Sequence, residues 1–190
     1  MKHSIHPSFR LNGVPLGSDI EAFCRQVQRT FAPDELSATY GQDILDFIHR
    51  YMDDSDTLIC HTSGSTGKPK PIQLEKKRME ASARLTCQRF GLDEGIRALL
   101  CLPVSYIAGQ MMIVRALVTG WHLKATIPSS RFLEHTEGRF DFAAVVPMQL
   151  YQSIDELHRV RTILVGGGSI SEGFLNKLKA IELPCTSIYQ

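Results

Sequence analysis

The chain has 190 residues, 43% hydrophobic and 22% charged, the balance of an ordinary globular protein with enough apolar material for one core. A formal net charge of +1, with Lys and Arg scattered along the chain, offers no field to gather a polyanion and argues against nucleic acid as a partner. His3, His6 and Pro7 fall where a signal peptide would be apolar, and the longest apolar stretch, from Gly109 to Trp121, is broken by Arg115 and too short to cross a bilayer. The expectation is a cytosolic, cytoplasmic protein with no membrane insertion.

Residues 1–56 open with an extended segment from Phe9 to Leu16 around an Asn12-Gly13 turn, followed by a helix from Asp19, its cap, to Thr30. A second helix is predicted from Gln42 to Tyr51. These residues read as a preamble to one domain, and residues 57–190 as its α/β core. Beyond residue 56, short apolar runs alternate with helical patterns, which predicts βα units and a mostly parallel sheet with flanking helices. The strands fall at 57–60, 98–102, 122–127, 142–146, 162–165 and 186–189. Helices follow at 74–90, 109–119 and 172–181, with Gly91 and Gly120 placed as C-caps of the first two.

Cys24, Cys60, Cys87, Cys101 and Cys185 form no CxxC pair, and the seven histidines show no zinc-ligand spacing. Reduced, buried thiols and no structural metal are expected. What stands out is positional. Most of the predicted strands end in a polar or glycine-rich loop: His61 to Gly67, Pro103 to Tyr106, Pro147 to Gln149, and Gly166 to Ser169. Ligands of open α/β sheets bind beyond the carboxyl ends of strands, so these loops should meet at one crevice.

The first loop, Thr62-Ser63-Gly64-Ser65-Thr66-Gly67-Lys68-Pro69-Lys70, holds four hydroxyls, two glycines and two cations. Glycines let backbone N–H groups turn inward as an anion nest, while hydroxyls donate and lysines neutralise charge. It is not a Walker loop, since two residues rather than four separate its glycines and Pro69 follows Lys68. Pro69 and Pro71 also oppose a helix directly after it, so a helix N-terminus is not the phosphate anchor. A Gly-Ser-Thr-Gly string alone would ordinarily be a surface turn.

The longer string, Ile59 through Thr62-Ser63-Gly64-Ser65-Thr66-Gly67 to Pro69-Lys70, matches the signature of the adenylate-forming, AMP-binding superfamily. Leu102-Pro103-Val104-Ser105-Tyr106-Ile107-Ala108-Gly109-Gln110 resembles its next element, which has a histidine or aromatic residue at Tyr106 and lines the acyl pocket. Val145-Val146-Pro147-Met148-Gln149-Leu150 is similar to the Val-Pro-Thr-Gln-Leu string of o-succinylbenzoate–CoA ligases of menaquinone synthesis, with Met148 for Thr. Gly166-Gly167-Gly168-Ser169 resembles the loop that packs on adenine. The likeness runs from about residue 57 to residue 190. Such ligases have a longer stretch before the phosphate loop, and 190 precedes their Tyr-Gly-x-Thr-Glu element, so an N-terminal-domain fragment, inactive alone, is expected.

The resemblance implies part of the large N-terminal domain of an acyl-CoA ligase. A carboxylate attacks the α-phosphorus of ATP, giving an acyl-adenylate and pyrophosphate, and the thiol of coenzyme A displaces AMP. By this reading Thr62, Ser63, Gly64, Ser65, Thr66, Gly67 and Lys70 bind the ATP phosphates, with Thr66 also on Mg2+. Gly166, Gly167, Gly168 and Ser169 take adenine, and Tyr106, Gly109 and Gln149 belong to the acyl pocket. Catalytic residues lie beyond Gln190. Core packing for Tyr106, capping for Gln149 and a plain turn for the glycines are the competing readings. A ligase for another aryl, fatty or amino acid, or a catalytically silent nucleotide-binding module, are the alternatives. An uncovered strand edge predicts aggregation or a non-native homodimer.

Overall fold

A computed structural model of the chain describes residues 5–61, 70–181, 183 and 186–190. The chain opens with a hairpin, β1 (Arg10–Leu11) and β2 (Val14–Pro15), turned by Asn12 at φ 49 and Gly13 at φ 86. Asn is one of the few side chains that tolerate this left-handed region, and here it is held there. Its Oδ1 accepts from the Ala125 amide and its Nδ2 donates to Thr30 Oγ1. Helices α1 (Ile20–Gln28) and α2 (Glu35–Met52) follow, capped by the Asp19 and Asp34 carboxylates, which accept from the amides of Ala22 and Ser37. The second helix starts seven residues earlier than the pattern predicts. Gly41 lies within it, packed so closely on the Phe31 ring that a side chain at that position would strike it.

Next come β3 (Thr57–His61) and β4 (Pro71–Glu75), then α3 (Lys76–Phe90), β5 (Arg97–Leu100), α4 (Ile107–Thr119) and β6 (His122–Ala125). The chain continues through β7 (Phe140–Val145), α5 (Pro147–Gln152), a 3-10 turn (Ile154–Arg159), β8 (Val160–Val165), α6 (Glu172–Ala180) and β9 (Ser187–Tyr189). Seven strands form one sheet in the order β2-β1-β6-β5-β7-β8-β9, parallel throughout except for the β1–β2 hairpin. The α/β class and the mostly parallel sheet are as read from the sequence.

Two expectations are corrected. Residues 57–60 do not begin the parallel sheet but pair antiparallel with Pro71–Glu75 in a separate two-stranded sheet. The helix placed from Leu74 starts at Lys76, because residues 71–75 are that partner strand. Alternation gives the reason: Leu58 and Cys60 are buried while Ile59 and His61 face out, the pattern of a half-buried hairpin. A central parallel strand such as β5 instead buries Ala98, Leu99 and Leu100 in succession.

Two cores flank the large sheet. One unites Phe23 of α1, Ile44 and Ile48 of α2, Met79 of α3 and Met112 of α4 with Leu100, Phe142 and Ala144 of the strands. The other packs Leu150, Leu157 and Phe174 against Leu99, Ala143 and Ile163. Residues before 57 therefore share their core with the central strands. Lys76, fully buried, joins the hairpin to α2 by donating to the carbonyl and carboxylate of Asp53, at 3.0 and 2.8 Å.

Candidate functional site

From β5 the chain adds β6 on one side and then crosses to place β7 on the other. Loops leaving two such strands diverge and leave a crevice at their carboxyl ends. A cavity of about 340 Å³ lies there. Leu102 and Pro103 after β5 form one wall, Val145 and Val146 at the end of β7 the opposite wall, and Tyr106 and Met111 of the α4 region a third side. Gly166 and Gly167, following β8, close the end. Such a volume, mostly apolar with few polar groups, suits a small organic ligand.

Among the described residues that line it, the one that is charged is Arg115, on α4. The surroundings of this guanidinium are poor in acceptors. Nε is buried without a hydrogen-bond partner, Nη1 meets only the sulfur of Met112 at 3.8 Å, and no carboxylate among the described residues pairs with it. Burial pulls its pKa below the ordinary arginine value, but a guanidinium stays charged in any protein environment. Arg115 as a whole is half-buried, and a partly desolvated, unpaired cation is costly unless an anion completes it. The sequence reading passed over Arg115 as a break in an apolar helix. That break was the available signal, since nothing in a core-facing helical stripe accounts for an arginine.

Tyr106 lines the cavity as the N-cap of α4. Gly109 lies outside the lining and serves a close approach: a Cβ there would sit 2.4 Å from the Pro103 carbonyl oxygen. Gln149 is also outside it, buried, with its amide directed at protein groups. Nε2 donates to the carbonyls of Cys101 and Ser129, and Oε1 accepts from the Val146 amide. Gly166 and Gly167 border the cavity, while Gly168 and exposed Ser169 do not. Only Gly167, at φ 80, needs glycine for its backbone, and a side chain at Gly166 would enter open space. Lys70 is exposed, one residue before β4. Thr62, Ser63, Gly64, Ser65, Thr66 and Gly67 lie outside the described residues. Among those described, no three His, Cys, Asp or Glu side chains gather into a metal site, and no helix is long and apolar enough to cross a membrane.

A family profile described as AMP-binding enzyme matches residues 16–190. The fold resembles an acyl-CoA synthetase (AMP-forming)/AMP-acid ligase II-like protein from Dyadobacter fermentans, with a TM-score of 0.73 and 32% identity, covering 88% of this chain and 47% of that one. It also resembles the o-succinylbenzoate coenzyme A synthetase of Bacillus subtilis in complex with ATP and magnesium ion, with a TM-score of 0.56 and 26% identity, over 64% of this chain and 27% of that one. In sequence, the 2-succinylbenzoate–CoA ligase of Bacillus subtilis is 27% identical over 173 residues, 86% of this chain and 35% of the relative. The D-alanine–D-alanyl carrier protein ligase of Lacticaseibacillus paracasei is 33% identical over 100 residues, 53% of this chain and 20% of that relative. The chain thus spans about a third or less of these curated relatives.

Proposed function

The chain belongs to the AMP-binding enzyme family, and from that premise we propose that it supplies the acyl- and nucleotide-binding part of a ligase that activates a carboxylic acid with ATP. One carboxylate oxygen of the acid forms a bond to the α-phosphorus as the bond from that phosphorus to the bridging oxygen breaks, and pyrophosphate leaves. The thiol of coenzyme A then adds to the acyl carbon, loses its proton and expels AMP, leaving the thioester. Neither displacement needs a covalent group from the protein, so positioning and charge neutralisation carry the catalysis. Thr62, Ser63, Gly64, Ser65, Thr66, Gly67 and Lys70 are assigned to the β- and γ-phosphates, and Thr66 would also hold magnesium, which would neutralise phosphate charge. The glycine loop from Gly166 to Ser169 is assigned to adenine, where the open space at Gly166 leaves room for a flat ring.

The observation that carries the substrate reading is Arg115 in the apolar cavity. An acid whose reacting carboxylate points to the nucleotide and whose body fills the cavity would need a second anion to satisfy this guanidinium. The substrate is therefore an aryl dicarboxylate, and o-succinylbenzoate, with an apolar ring between two carboxylates, has this form. The succinylbenzoate ligases among the relatives support the choice. An amino acid does not fit, because its ammonium group would be repelled by Arg115 in a medium that screens little.

The test is calorimetric binding of non-hydrolysable acyl-adenylate analogues to the chain. The analogue with a second carboxylate should bind roughly ten- to hundredfold more tightly than its neutral counterpart, the range of one charge-assisted pair. Arg115→Leu should abolish that difference and leave AMP binding unchanged. Equal affinities for both analogues in the wild type would eliminate the dicarboxylate, and binding of AMP without either analogue would leave a nucleotide-binding module.

A further inference from the structure

The wall of the cavity that follows β5 is held carbonyl by carbonyl, mostly by groups outside the lining. The Cys101 carbonyl accepts from Gln149 Nε2 at 2.9 Å and the Leu102 carbonyl from the Tyr40 hydroxyl at 2.9 Å. The Pro103 carbonyl accepts from the Tyr106 amide at 3.4 Å and rests against Gly109, and the Val104 carbonyl accepts from Gln110 Nε2 at 2.9 Å. Tyr40, Gln110 and Gln149 are 6%, 2% and 5% exposed, so water does not compete for these bonds. Two of the three do more than brace one loop. Gln149 also accepts from the Val146 amide on the facing wall and donates to Ser129 beyond β6, so a single amide links segments that follow three strands. Tyr40 comes from α2, within the first 56 residues, and brings that segment to the pocket from the other side of the strand end.

We infer that Gln149 and Tyr40 are positioning residues for the acyl pocket, fixing the separation and rigidity of its two walls without touching the ligand. This rests on the acyl-adenylate reading above and assigns Gln149 a task other than bonding to the substrate. Loosening the clamp leaves cavity chemistry intact, since Leu102, Pro103, Val146 and Arg115 remain. What changes is their spacing, and a misplacement of a fraction of an ångström weakens contacts along the whole acyl portion. In the reading above the nucleotide is assigned to the loop after β8 and not to this wall.

The experiment compares wild type with Tyr40→Phe and Gln149→Met, which keep side-chain volume and remove the bonds. Two readouts are used: calorimetric affinity for the aryl acyl-adenylate analogue and for AMP, and hydrogen exchange of the amides at 104–106. Tyr40→Phe should bind the analogue about tenfold more weakly, as expected for one hydrogen bond's worth of ordering, and Gln149→Met, which removes three bonds, more weakly still, with AMP affinity unchanged and exchange at 104–106 accelerated in both. Tyr40→Phe is the milder change and keeps the test open should Gln149→Met fail to fold. Equal weakening of both ligands, as from a partly unfolded population, or no weakening of either, overturns the inference alone. A wild-type chain that binds neither ligand removes the ligase reading, and the inference with it.

Discussion

Cys101 shows how a single side chain can be set by its place. It directly follows β5, one residue before the cavity lining begins, with its thiol in the second core, wholly buried, donating to the Ala144 carbonyl at 3.5 Å. Burial pushes the thiol up from 9.0 to about 12, because a thiolate there would lose its hydration. A group whose folded pKa is raised stabilises the fold in full below its unfolded pKa, and that contribution is lost as pH rises toward the folded value. The fold should therefore lose stability between pH 9 and about 12 in part through Cys101. Thermal midpoints taken from about pH 8 to about pH 10.5 should fall more steeply for wild type than for Cys101→Ala. Parallel slopes would show that other groups govern the alkaline limb. Arg115 is the opposite case: its charge cannot be given up, and under the reading proposed above Arg115→Leu removes a cost of the free protein.

At the scale of elements, close approach decides more than propensity. Helix α4 begins by pressing its Gly109 onto the Pro103 backbone, which sets how far the pocket wall stands from the helix that carries Arg115. Gly109→Ala would gain up to about 1 kcal/mol of helix propensity but force a contact of 2.4 Å against a carbonyl oxygen. Overpacking of this kind costs about 1–3 kcal/mol, so the variant should unfold at lower denaturant, with an unchanged dependence on denaturant concentration. A gain in stability would mean that the loop after β5 yields readily, against the bracing described above. The hairpin of β3 and β4 is likewise fixed by a long-range tie. Lys76 is the only fully buried lysine among the described residues, and it reaches the C-terminal end of α2.

For the whole molecule, the large sheet carries a core on each face, and its outer strands differ in protection. β1 and β2 turn back on each other in a hairpin, whereas β9 is three residues long, with Ser187 and Tyr189 exposed. Beside it a groove of about 320 Å³ is lined by Leu175, Leu178 and Ile188. An open edge next to apolar surface is a template for pairing. We expect the chain to self-associate, with a mass by light scattering that rises with concentration, and Ile188→Lys to suppress the rise. A concentration-independent monomer for wild type would remove this expectation.

How much of this was written in the chain varies with the range of the interaction. The Asp19 cap, the Gly91 and Gly120 termini and the long buried strands rest on contacts within a few residues, so periodicity and residue type suffice to find them. The 57–61 strand and its true partner were harder. Five apolar-alternating residues do not say which neighbour they will pair with, and Pro71 to Glu75 reads as the lead into a helix until the hairpin is seen. In the site, Tyr106, Gly166 and Gly167 were found from motifs and do border the cavity. Arg115 was visible only as an interruption, and Tyr40 gave no signal, since its partner lies 62 positions away.

The sequence by itself determined the α/β class, the loops at strand ends and the likeness to adenylate-forming ligases, because these depend on local pattern and on contiguous strings. Only the tertiary structure decided that β5 and β7 part at a switch point, that Arg115 sits there half-buried with no carboxylate among the described residues paired to it, and that Gln149 and Tyr40 brace the walls. These depend on groups distant in the chain competing for the same few buried carbonyls and the same small volume, and that competition is resolved when the sheet closes its two cores.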